Sequence, residues 1–199
     1  MKRILVAALS AIVLFTSCQT ELFNGKDLSG WTGTIAPLVQ GRGERRTEIN
    51  VPVEQVFNVA GGYLNVSGRP NGYLRTETAY SNYRLHVEWR WVGAATNSGI
   101  FVGIQDGDKV WPDCVECNLM ADHAGDIYFQ GNPQARLDPS PCEAPVGGWN
   151  YADIICKGCH IKIFINGKLQ NEFDSPYDKG YIGLQSEGGQ LEFRNIYLK

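Results

Sequence analysis

No window of this 199-residue sequence repeats apolar residues at a helical period over three turns, which argues against a helical bundle. Internal repeats and low-complexity tracts are missing as well, so neither a repeat architecture nor a disordered tail is indicated. There is no basic excess: 18 Lys and Arg face 21 Asp and Glu, a net charge of −3. Nucleic acid is therefore not an expected partner, since it would need a basic face or stripe. The one basic cluster, Arg42, Arg45 and Arg46, lies in a Gly-rich stretch beside Glu44 and Glu48 and reads as a solvated loop. No loop carries a dedicated calcium pattern.

The apolar segment 4–15 is too short to span a bilayer, which takes about 20 residues. With Lys2 and Arg3 before it and Thr16-Ser17-Cys18 after it, it reads as an export signal ending in a bacterial lipobox. The expected organisation is a signal peptide over 1–17, a lipidated tether over 18–21 acylated at Cys18, and one domain over 22–199. Two or three acyl chains on Cys18 would anchor the protein stably to a membrane. Gln19 after the cysteine favours delivery to the outer membrane of a Gram-negative cell. Removing the first 17 of 199 residues leaves 182, a single-domain length, with a formal charge near −5.

Five cysteines remain: Cys114, Cys117, Cys142, Cys156 and Cys159. An oxidising compartment favours disulfides, with Cys156 and Cys159 flanking a two-residue turn that they could close across. Unpaired thiols and a four-thiolate zinc site remain open alternatives. Cys114 and Cys117, three apart on a strand, face opposite ways and are poor partners for one another.

Short runs rich in Val, Ile, Tyr, Phe and Trp recur between Gly, Asn, Asp and Pro. Strands are expected at 56–59, 63–66, 73–76, 83–92, 99–105, 115–120, 126–129, 149–156, 160–165, 168–174, 181–185 and 191–198. A dozen strands, 23 glycines and no long helix imply an all-β sandwich. Asn166-Gly167 suits a type I′ hairpin turn, which needs positive φ at both central residues. Segment 133–148, with four prolines, reads as a long loop.

Several strands alternate cleanly. Leu85, Val87, Trp89 and Trp91 share one face and His86, Glu88 and Arg90 the other. Glu116 with Asn118, Gln185 with Glu187, and Glu192 with Arg194 repeat the scheme. If these strands are neighbours, four polar patches converge on one sheet face and form a cleft.

The segments 22–31, 74–76, 83–90 and 97–101, together with Glu116, Trp149-Asn150, 165–167 and 180–195, resemble the 3-keto-disaccharide hydrolase domain family. The similarity runs in order over 22–199. It implies a concanavalin-like β-sandwich (jelly roll) of two antiparallel sheets with a concave, carbohydrate-binding face, and cleavage of glycosides whose sugar carries a ketone at C3. That ketone acidifies the C2 proton, so a base can remove it, the C1 group leaves, and water adds to the alkene. Such chemistry needs a general base, a positive or hydrogen-bonding group at the enolate oxygen, and an acid for the leaving oxygen. Glu116 or Glu187 is the expected base and Arg90 or Arg194 the enolate stabiliser. Asn97, Gln185, Asn118 and Glu88 are expected to bind sugar, with Trp111 or Trp149 stacking on it. The chain departs from the family at Ser186-Glu187, where relatives often carry Asp-His, and at Cys117-Asn118, where Val-Gln is usual. His123 is the candidate replacement histidine. Glu116, Asp122 and Glu187 are hard oxygen ligands that could take a divalent cation. A non-catalytic sugar-binding module is the competing reading. A retaining glycosidase, which needs two carboxyls about 5–5.5 Å apart, ranks last because no Glu-x-Asp-x-x-Glu run of the kind used by concanavalin-like glucanases is present.

Overall fold

A computed structural model describes residues 19–105, 109–138 and 140–199, and all but the side chain of Glu44 among them. The expected signal peptide and Cys18 lie outside the described residues. Among the described residues, no helix is long and apolar enough to cross a membrane.

The strands are β1 (Thr20–Glu21), β2 (Trp31–Ile35), β3 (Leu38–Gln40), β4 (Thr47–Ile49), β5 (Phe57–Ala60), β6 (Tyr63–Val66), β7 (Gly72–Thr76), β8 (Tyr83–Trp91), β9 (Gly99–Ile104), β10 (Val115–Asn118), β11 (Ile127–Phe129), β12 (Asn132–Gln134), β13 (Asn150–Lys157), β14 (His160–Ile165), β15 (Lys168–Asp174), β16 (Tyr181–Ser186) and β17 (Leu191–Leu198). One antiparallel sheet runs β15-β14-β13-β8-β17-β6-β5, with β1 also paired to β17. The other runs β12-β11-β10-β9-β16-β7-β2, and β3 and β4 form a separate hairpin. All twelve expected strands are present, to within a residue or two at their ends. The additional five, β1 to β4 and β12, are short and carry little apolar alternation. Thr20 and Glu21 pair with Leu198 and Tyr197, so the tether expected over 18–21 is already sheet by Thr20.

The two sheets pack through their apolar faces. Leu85, Val87, Trp89 and Trp91 of β8 and Leu191 and Phe193 of β17 meet Ile100 and Val102 of β9, Val115 and Cys117 of β10, and Ile182 and Leu184 of β16. Trp89 and Phe193 sit directly opposite across the β8–β17 ladder, both fully buried. Burial of each such side chain stabilises the fold by about 1.5–3 kcal/mol. Trp31 is tied in by its indole Nε1, which donates to the carbonyl of Leu22 at 2.7 Å.

All five described cysteines are free thiols, so the favoured disulfide across Cys156 and Cys159 is not formed. Cys156 points into the core while Cys159 sits in an exposed turn. Cys117 and Cys114 do face opposite ways, Cys117 into the main core and Cys114 into a small cluster with Tyr73, Phe101 and Ile104 on the outside of the seven-stranded sheet.

Candidate active site

Alternation along β9 and β10 dictates what this outer face presents. With Val115 and Cys117 turned inward, Glu116 and Asn118 point out; with Ile100 and Val102 inward, Gly99 and Phe101 point out. Glu116 stands between Phe101 on β9 and Tyr128 on β11. A cavity of about 450 Å³ opens here, lined by Glu116, Glu187, Asn97, Asn118, Phe101 and Tyr128, with Trp111 at its mouth.

Two carboxyls from distant strands meet in this cavity because of one glycine. Leu184 pairs with Ile100, and Glu187 bridges Asn97 in the same register, which sets Gln185 opposite Gly99. A Cβ on Gly99 would stand 2.5 Å from Oε1 and 2.8 Å from Cγ of Glu116. The Glu116 side chain therefore lies over bare backbone and leans along the strand toward the Gln185–Glu187 edge.

Burial, and then the charge of Glu187, push the Glu116 carboxyl up to about 8, so it is protonated at neutral pH. Burial also raises Glu187, opposed by the Arg69 charge and by a hydrogen bond that Gln185 Nε2 donates to Glu187 Oε2 at 2.9 Å. Arg69 is placed by backbone contacts: Gly188 N donates to Gly68 O at 2.8 Å and Ser186 Oγ to Pro70 O at 3.2 Å. Asn118 Oδ1 accepts from Met120 N at 2.7 Å, which leaves its amide NH₂ for a ligand oxygen.

Glu116, Glu187, Asn97, Asn118 and Trp111 are thus brought together. Gln185 is not on the cavity wall: it is 1% exposed, with Oε1 unpartnered, and acts on Glu187 from behind. Glu88, Arg90 and Arg194 are on the other sheet altogether, facing outward on the opposite side of the sandwich. The convergence of four polar patches on one face is therefore corrected to two and two. Arg90 pairs with Glu192 at 2.6 Å and Arg194 with Glu88 at 2.7 Å, each directly across the β8–β17 ladder. Trp149 belongs to that back face too, with the Arg194 guanidinium 3.8 Å from its ring centre. Burial opposes ionisation of Glu88, but hydrogen bonds from Asn195 and Arg194 outweigh it and hold the carboxyl low.

His123 sits in the turn after β10, is 55% exposed, and shares a 3.0 Å contact with Asp126 rather than reaching the cavity. Among the described residues no group of three or more His, Cys, Asp and Glu is placed to hold a metal ion, so Glu116, Asp122 and Glu187 do not assemble as a ligand set.

Sequence reasoning missed Tyr128, Met120, Gly99 and Arg69 as site residues. Alternation along 127–129 already turns Tyr128 away from Ile127 and Phe129, but nothing local says that β11 lies beside Glu116. For Cys114 the sequence leaves disulfide, unpaired thiol and zinc ligand open and offers no place in the site; it is a free thiol that lines the cavity, pushed up by burial.

The fold and site together define a two-layer antiparallel sandwich with paired carboxyls in an open cavity on one sheet. Residues 19–199 match the 3-keto-alpha-glucoside-1,2-lyase-like domain, and the chain belongs to that family. This membership places it among carbohydrate-active proteins. Comparison with curated proteins finds no match. Among solved structures, a presumed glycosyl hydrolase from Parabacteroides distasonis ATCC 8503 is similar at 23% identity and a TM-score of 0.69, over 92% of this chain and 98% of the other. The laminarinase from Rhodothermus marinus is similar at 14% identity and TM-score 0.58, over 91% and 95% of the two chains. The carbohydrate binding module CBM66 from Bacillus subtilis is similar at 13% and 0.57, over 84% and 93%. At these identities the likeness is one of fold.

Proposed function

We propose that the protein cleaves the glycosidic bond of 3-keto-glucosides by elimination across C1 and C2, followed by hydration. Glu187 is the base: it takes the C2 proton, the C2–H electrons pass into the C3 enolate, and their return forms the C1=C2 double bond as the C1–O bond breaks. Glu116 is the acid, passing its proton to the departing oxygen. Water then adds hydroxyl at C1 and a proton at C2, giving the free 3-keto sugar and an alcohol. Asn97 and Asn118, which line the cavity with Glu187, supply the amide donors for the enolate oxygen.

The observation that carries this reading is a pair of carboxyls in one cavity with different environments. Glu116 is pushed to about 8 and so holds a proton; burial raises Glu187 as well, but there Arg69 and Gln185 oppose the rise, and nothing comparable acts on Glu116. Splitting two carboxyls in this way is how one site supplies both an acid and a base near pH 7.

The test is to incubate the mature domain with a 3-keto-glucoside and its unoxidised parent. Release of the alcohol from the ketone alone, with C2 deuterium lost to solvent, is expected. Glu187→Gln should abolish it and Glu116→Gln should slow it most for poor leaving groups. Release from the parent, or full activity in both variants, overturns the proposal.

A binding module is the second reading. No arginine or lysine lines the cavity among the described residues, and the fold is shared with a carbohydrate binding module. Tight binding of the ketone without turnover would establish it. For location, we propose export and acylation at Cys18 into an outer membrane. Labelling by a radioactive fatty acid in cells should vanish in Cys18→Ser, and label retained in that variant would refute the anchor.

A further inference from the structure

The cavity is not uniform along its length. At one end, level with Asn97, stand Glu187, Asn97 and Asn118; at the other, the walls are Phe101 and Tyr128, level with Glu116, and Cys114 past it, closed by Trp111 and Pro112. Antiparallel register fixes this order, since Phe101, Glu116 and Tyr128 lie on one line across β9, β10 and β11, and Trp111 to Cys114 lead into β10 from the far side. Trp111 is 56% exposed and Tyr128 38%, and both line the same cavity. Large aromatic side chains left open in a cavity mark a ligand surface rather than an unfinished core.

The acid separates the two ends. If Glu116 protonates the leaving oxygen, the sugar ring lies on the Glu187 side and the leaving group lies over Tyr128 toward Trp111. The geometry points to a flat, apolar, aromatic-bearing leaving group, stacked on Trp111 and Tyr128, in preference to a second sugar. The cavity volume of about 450 Å³ falls within the range, roughly 300–1,000 Å³, that takes a ligand larger than one small ring. Phe101, Pro112 and Cys114 offer no strong hydrogen-bond partner, and Asp113 and Gln130, which line the same end, suit one or two polar ring substituents but are too few to replace the water lost by the several hydroxyls of a second sugar. This inference rests on the proposed acid role of Glu116.

The test compares methyl, 2-phenylethyl and glucosyl 3-keto-glucosides of the same anomeric form. The methyl and 2-phenylethyl compounds leave as primary alkyl alcohols of similar basicity, so their difference reports contacts and not leaving-group chemistry, while glucose is the better leaving group and works against the expected order. The 2-phenylethyl compound should show kcat/KM at least about tenfold above the other two, mainly through KM, as stacking on two aromatic side chains would give. Trp111→Ala and Tyr128→Leu should each shrink that ratio to about threefold or less, and Trp111→Phe should keep most of it. Comparable rates on all three, a preference for the disaccharide, or a ratio untouched in both variants overturns the inference while leaving the proposed reaction standing. If no ketone is turned over, the reaction falls, and calorimetric binding of the unoxidised methyl and 2-phenylethyl glucosides still decides the platform. Binding of the 2-phenylethyl compound about tenfold tighter, lost in Trp111→Ala, supports it; equal binding or none overturns it.

Discussion

Glu116 and Gly99 are one functional unit, because the carboxyl occupies the space a Cβ on Gly99 would fill. In Gly99→Ala the flexible carboxyl end gives way rather than the backbone. The fold should survive with about 1–3 kcal/mol lost, because Cγ and Cδ of Glu116 must shift along with Oε1, while displacement of the acid by about an ångström should lower kcat/KM by about a hundredfold. Urea melts and steady-state rates on one sample separate the two effects. Glu116 also sets a pH signature. Its native carboxyl titrates near 8 against an ordinary value of 4.5, so between those values the folded state binds more protons than the unfolded one. Stability therefore falls as pH rises through that window. Glu116→Gln should match the wild type below about pH 4.5 and gain on it progressively, by on the order of 4 kcal/mol above pH 8. A gap that does not widen with pH would mean that Glu116 titrates normally. Its position was legible from alternation; its protonation was not, since that depends on Glu187 and on packing from strands distant in sequence.

At the scale of the element, the β14–β15 hairpin shows what local chemistry can specify. Asn166 and Gly167 have φ of 48° and 81°, as a type I′ turn requires. The asparagine does more than turn the chain: Oδ1 accepts from Tyr151 N at 2.9 Å, and Nδ2 donates to Cys142 O at 2.7 Å and Asn150 Oδ1 at 2.9 Å. It thereby fastens the proline-rich loop to the end of β13. Asn166→Gly keeps the backbone conformation and loses only these bonds, costing about 1–2 kcal/mol. Asn166→Ala adds backbone strain and should cost about 2–4 kcal/mol. Urea midpoints at unchanged m value would measure both, and equal costs would show that strain contributes nothing. The turn could be read because two adjacent residues determine it. β1, β3, β4 and β12 were missed because two or three residues carry no period, and β2 because a glycine interrupts it.

At the scale of the whole molecule, period-2 alternation identified which residues leave the core but not the sheet from which they leave. Glu88, Arg90, Glu192 and Arg194 show the same pattern as Glu116, Asn118 and Glu187, yet the long-range pairing of β8 with β17 sends them to the opposite side of the sandwich. Sequence spacing holds no record of that choice, which is made when strands over a hundred residues apart become neighbours. There the two arginines have local partners: each bonds a carboxylate directly across the ladder and stacks on the Trp149 ring, Arg90 at 4.7 Å and Arg194 at 3.8 Å. These contacts are complete without a ligand, and they lie beyond the whole thickness of the core from Glu116. Arg90→Met and Arg194→Met should therefore each cost about 1 kcal/mol of stability, part of it screened by 1 M salt, and leave kcat/KM within about twofold of wild type. Unfolding curves at low and high salt, with rates on a 3-keto-glucoside, measure both. Activity lost in a folded, stable Arg194→Met protein would show that the arginine face takes part in turnover, and the assignment of the chemistry to the Glu116–Glu187 cavity would then fail.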